Sequence, residues 1–120
     1  MTIRKITANG NEYEFINDSR NTRSGFAHDT TLFRNGEEIG RATAIYYNRT
    51  WERYRYQTAM QICINDIIEK KYEDYIKFFK EFFCIKRLTS ERRAEADRNF
   101  YECIDIKELQ EVYKQLESSN

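Results

Sequence analysis

The sequence predicts an α+β fold, a four-stranded antiparallel sheet followed by three or four helices, and two observations carry the prediction. Asn9-Gly10 and Asn35-Gly36 each stand between segments of strand character in the first third of the chain. Near Thr50 the apolar spacing then changes from near-alternation to the three-to-four-residue repeat of helices.

In "IRKITANGNEYEFIN" the first Asn-Gly separates Ile3 and Ile6 from Tyr13 and Phe15. In "FAHDTTLFRNGEEIGRATAIYY" the second separates Leu32 and Phe33 from Ile39, Ala42 and Ala44. A type I′ turn needs positive φ at both central residues, which Asn and Gly tolerate best, so both dipeptides predict two-residue hairpins. The strands fall near 2–8, 11–18, 24–34 and 37–47, with the polar stretch "DSRNTRS" as the loop between hairpins. Thr50 then reads as an N-cap, and Glu52 suits the first turn of a helix. At 100° per residue Tyr56, Ala59, Met60, Cys63 and Ile67 share one stripe, with Ile64 at its edge, and that stripe should lie on the sheet. Trp51, Arg55, Thr58 and Ile62 fall on the opposite side with Tyr54 alongside, so a second layer is expected there.

A separate helix over 72–86 is predicted by its broad face of Tyr72, Tyr75, Ile76, Phe79, Phe82 and Phe83, which either packs on the first helix or is shared in a homodimer. The polar run "TSERRAEADRN" reads as a helix capped by Ser90 or as a connector. Asp105 and Glu108 have capping-box spacing, and Ile104 with Leu109 the spacing of a hydrophobic staple. Ile106, Leu109, Val112, Tyr113 and Leu116 complete a final amphipathic helix, and the absence of proline fits a helical second half. One domain over 1–120 is expected, with sheet in 1–48 and helices in 49–120, the later helices packing around the first.

Lys+Arg and Asp+Glu both number 20, so no net charge draws the whole molecule to a polyanion and any nucleic-acid binding must come from a local patch. Aromatic residues are 15% of a chain that is only 40% hydrophobic, so Phe and Tyr must supply much of the core. No apolar run has the length of a membrane span, and "MTIRKITANG" lacks a signal-peptide core, which together predict a cytoplasmic protein without membrane contact. The sequons at Asn17 and Asn48 carry no meaning in that compartment. Cys63, Cys84 and Cys103 form no C-x-x-C pair and have no nearby histidine, so they are expected as buried small hydrophobes, with no zinc site and no cofactor.

Catalytic patterns are weak. His28 is the only histidine, and its neighbour Asp29 should point to the other face of a strand. Asp18, Asp29, Glu37 and Glu38 would have to converge within a few ångströms to hold the metals of a nuclease. The chain has no G-x-S-x-G, no H-E-x-x-H and no phosphate-cradling glycine loop.

The strongest functional lead is "YYNRTWERYRYQ", residues 46–57, with three arginines, four tyrosines and the only tryptophan. Arg49 and Arg53 are four residues apart, as are Trp51 and Arg55. Arginine stacks on aromatic rings and offers a planar fork to phosphate or carboxylate, and a helix start favours anions. Arg41 and the loop residues Arg20 and Arg23 would extend this patch. The competing reading is a structural corner, in which Tyr46, Tyr47, Trp51 and Tyr56 close the core, arginine stems cover it and Glu52 neutralises part of the charge.

Two resemblances follow from these residues. The strand–hairpin–strand–helix order over residues 24–68 is similar to the latter part of a double-stranded-RNA-binding domain. That family carries a lysine-rich cluster at the start of its last helix where this chain has "NRTWERYRY", and a hairpin here replaces its leading helix. The run from "GFAHDTTLF" to "YYNRTWERYRYQTAM" resembles small proteins of phages and conjugative elements of low-GC bacteria. That setting includes anti-CRISPR and other counter-defence proteins, and the resemblance implies stoichiometric binding of a host or defence-system protein or ribonucleoprotein, with no catalytic residues. The alternative reading is a nucleic-acid-binding module using the basic aromatic patch.

Overall fold

In the computed structural model, which describes residues 1–23, 25–46 and 52–118 with side chains at all of these except 46 and 52–55, both Asn-Gly pairs adopt left-handed backbone. Asn9 and Gly10 have φ 51° and 78°, and Asn35 and Gly36 have φ 50° and 85°. These turns join β1 (Thr2–Ala8) to β2 (Asn11–Asn21) and β3 (Phe26–Arg34) to β4 (Glu37–Tyr46). The four strands form one antiparallel sheet in the order β1-β2-β3-β4. The loop expected at "DSRNTRS" is mostly strand. Pairing of β2 with β3 runs on to Asn21 opposite Phe26, and the Thr22 amide donates to the Gly25 carbonyl at 2.9 Å. Arg20 is therefore a strand residue opposite Ala27, fixed by cross-strand contacts that outweigh the polar composition.

The helices differ from the expectation at one joint. Residues 52–82 form a single helix, α1 (Glu52–Phe82), rather than a helix that ends near 68 and a second that folds back over it. The charged Glu69-Lys70-Lys71 segment between the two apolar stripes contains no glycine or proline, so solvated charge there does not interrupt the backbone. At about 1.5 Å per residue, α1 is roughly 46 Å long and outruns the strands beneath it. The Thr50 cap assignment lies outside the described residues. α2 (Ser90–Glu102) begins one residue later than its cap: Thr89, not Ser90, is the N-cap, and its hydroxyl accepts from the Arg92 amide at 3.2 Å. α3 (Ile104–Ser118) follows.

α1 lies across β3 and β4, and α3 lies beside it over β1, so both helices share one face of the sheet. As expected, both later helices pack against the first, and α3 covers β1 as well. Between them sits the core of Ile6, Tyr13, Phe15, Leu32, Met60, Cys63, Ile64, Ile67, Leu109, Val112 and Leu116. Gly40 permits the close approach of α1: a Cβ there would lie 2.4 Å from Cγ1 of Ile67. α2 packs against the far half of α1, where Phe100 meets Tyr72 and Tyr75 at ring distances of 5.2 and 5.8 Å, and Arg92 lies 4.6 Å over Phe83.

Glu108 joins the two halves of the chain. Its carboxylate, buried on the sheet side of α3, accepts from the Tyr13 hydroxyl, from Asn11 Nδ2 at 2.8 Å, from Arg34 Nε at 3.2 Å and from Asn9 Nδ2 at 3.4 Å. The capping-box role therefore gives way to a long-range one. The staple does not form either, since Ile104 is 68% exposed. Of the cysteines only Cys63 is in the core, where burial pushes its thiol up to about 12. Cys84 and Cys103 are exposed, because the first follows the end of α1 with φ 52° and the second is the C-cap of α2.

A candidate binding surface at one end of the sheet

Strand topology brings Arg20, Arg23 and the start of α1 to one end of the sheet. The β2–β3 turn carries Arg23, and Arg20 stands just before it. Phe26, directly after the turn, pairs with Tyr46 at the end of β4, and Tyr56 in the second turn of α1 contacts Ser19 of β2 at 2.8 Å between hydroxyls. Tyr46 thus stands beside the strand that follows the β2–β3 turn, and Tyr56 beside the strand that precedes it. Arg49 and Trp51 lie outside the described residues. Arg53 and Arg55 belong to the first turns of α1, with side chains outside the described ones.

The described part of the surface has defined electrostatics. On the sheet face away from the helices, Arg20 Nε donates to Asp29 Oδ2 at 2.8 Å, and Thr43 Oγ1 donates to Asp29 Oδ1 at 2.6 Å. The Thr43 hydroxyl and then the Arg20 guanidinium hold the Asp29 carboxyl below its usual value, so it stays ionised and keeps Arg20 oriented. Arg20 remains 57% exposed at its side chain, and Arg23 is exposed. Arg41 does not extend this surface: it pairs with Glu38, toward the other hairpin.

Beneath the surface the helix-facing side of the sheet turns polar. Asn17, Thr30 and His28 are all buried there. Thr30 Oγ1 donates to Asn17 Oδ1 at 2.7 Å, Asn17 Nδ2 donates to the Thr2 carbonyl at 3.4 Å, and the His28 ring lies 4.4 Å from that of Tyr56 at 57°. His28 is only 2% exposed, with the Tyr56 ring against it. The carboxylates weighed as a metal site do not converge: Asp18 and Asp29 face one another across β2 and β3, whereas Glu37 and Glu38 follow the Asn35-Gly36 turn at the far end of the strand pair. Among the described residues no group of three His, Cys, Asp or Glu side chains is placed to hold a metal ion.

Sequence reasoning missed two features. Ser19 and Tyr56 link β2 to α1, and the alternation Tyr13, Phe15, Asn17 was the available signal that a polar residue occupies a core position. A cleft of about 460 Å³ also runs between β4 and α1, lined by Ile39, Gly40, Arg41, Asp66, Lys70 and Asp74 among others. No signal in the sequence locates it, because it depends on where α1 crosses the sheet edge. No described helix is long and apolar enough to cross a membrane. No family model, no curated protein and no solved structure matches this chain.

Proposed function

We propose that this chain is a small, non-enzymatic interaction protein of a phage or mobile element, acting in the host cytoplasm as a counter-defence inhibitor of the anti-CRISPR type. It binds a host or defence-system protein or ribonucleoprotein through the end of the sheet that carries Arg20 and Arg23 and the start of α1. The observation that supports this reading is topological: the β2–β3 turn, the end of β4 and the first turns of α1 lie near one another, so Arg20 and Arg23 stand at the end where α1 starts with Arg53 and Arg55. Arginine with aromatic neighbours suits a protein interface, where both residue types are enriched. The resemblance of "GFAHDTTLF" through "YYNRTWERYRYQTAM" to phage and conjugative-element proteins supplies the setting.

Charge reversal at Arg49, Arg53 and Arg55 tests the assignment of the surface. The triple variant should keep the circular-dichroism spectrum of the parent and lose its partner in pull-downs. Retention of every partner by a folded variant would remove the surface from consideration. A nucleic-acid partner, the second reading, is favoured by the exposure of both Arg20 and Arg23 at this end. It would show itself by affinity that falls steeply with salt, because phosphate contacts release counterions.

A further inference from the structure

At the opposite end of the molecule α1 extends past the sheet with its apolar stripe uncovered. Met60, Cys63, Ile64 and Ile67 are buried on the sheet, and the same side of the helix continues through Lys71 and Asp74 to Phe78 and Phe82. Their neighbours Phe79 and Phe83 turn toward α2, Phe79 buried and Phe83 beneath Arg92. Phe78 and Phe82 instead stand 60% and 67% exposed, their rings 5.9 Å apart. Two adjacent phenylalanines with most of their surface in water form an exposed apolar patch.

We propose that this overhang is a homodimer interface in which α1 of one copy lies antiparallel to α1 of a second copy, about a two-fold axis between Phe78 and Phe82. Charge identifies the occupant as a second copy. Lys77 and Glu81 are both exposed, lie one turn apart on the same flank of the stripe, and have no ion-pair partner among the described residues. An antiparallel two-fold brings that flank against itself with direction reversed, so Lys77 of each copy meets Glu81 of the other. An isologous interface requires this self-complementarity. Area agrees with it: four rings of roughly 200 Å² each, more than half exposed, remove on the order of 500 Å² of apolar surface. That is about a third of a standard interface of roughly 1,600 Å², which fits a weak, concentration-dependent dimer. The interface lies away from the β2–β3 end, so it stands or falls independently of partner binding there.

Sedimentation velocity of the full chain between about 5 and 200 µM tests the proposal without any partner, because self-association shifts with protein concentration by mass action. The mass should rise from that of one 14.6 kDa chain toward two. Phe78→Ser with Phe82→Ser should hold the chain as a folded monomer, since both rings are exposed and their removal leaves the core intact. Lys77→Glu alone and Glu81→Lys alone should each weaken self-association at least about tenfold through two like-charge contacts. The double variant Lys77→Glu, Glu81→Lys should restore it, and an equimolar mixture of the two single variants should form the heterodimer in preference to either homodimer. A wild-type chain that stays monomeric throughout, a dimer that survives the double serine variant, or a charge exchange that fails to restore association would each overturn the proposal.

Discussion

Glu108 is 4% exposed and collects hydrogen bonds from four side chains, three of them on the first hairpin and one on β3. Burial alone would raise its carboxyl pKa, but the donors Tyr13, Asn11, Asn9 and Arg34 together outweigh burial and hold it below the ordinary value. Tyr13 moves the other way, its phenol raised by burial and by the Glu108 carboxylate, and so it remains a donor. Glu108→Ala should cost about 3–5 kcal/mol in urea unfolding at neutral pH, because it leaves buried donors and a partly buried arginine without their acceptor. A folded-state pKa below the unfolded one gives stability that is fully present above about 4.3, the unfolded glutamate value, and is lost as pH falls through the lower folded value. The deficit of the alanine variant should therefore narrow in acid, and a deficit of the same size at pH 7 and pH 3 would contradict the assignment. None of this was legible at residue scale. The local pattern Asp105-x-x-Glu108 matches a capping box, whereas the groups that engage Glu108 lie 74 to 99 residues away in sequence.

At the scale of elements, legibility followed the range of the interactions involved. The hairpins were readable because their turns depend on the local preference of Asn and Gly for positive φ, and all four residues have it. The sheet-facing stripe of α1 was readable because 3.6-residue periodicity is local as well, and Ala59, Met60, Cys63, Ile64 and Ile67 are all buried. The continuity of α1 was not. The polar stretch around Glu69-Lys70-Lys71 looks like a joint between two apolar patterns, but it is the place where one helix leaves the sheet and begins to meet α2. A proline placed there distinguishes the two arrangements. Glu69→Pro should destabilise the chain by about 3 kcal/mol or more by breaking the helix interior, whereas a joint between two helices would absorb it at little cost. Thermal unfolding followed at 222 nm gives the comparison.

For the whole molecule, one 31-residue helix spans the distance between two surfaces of different character. One end carries arginines beside an ionised Asp29, and the other presents Phe78 and Phe82 to solvent. The candidate residues of the first surface were legible one by one, since Arg20, Arg23, Arg49, Trp51, Arg53 and Arg55 stand out by type and spacing. That Arg20 and Arg23 stand at the same end as the start of α1 was not, because it depends on the β2–β3 pairing running to Asn21 and on Ser19 meeting Tyr56. In the proposed function this end binds a protein or ribonucleoprotein, and the chain acts by binding. Affinity capture from bacterial host lysate, with and without nuclease, comparing the parent chain with the Arg49, Arg53 and Arg55 charge-reversal variant, tests it most directly. A discrete protein partner should survive nuclease treatment and be lost with the variant. Recovery of nucleic acid alone, released by nuclease, or a partner held equally by the variant, would contradict it.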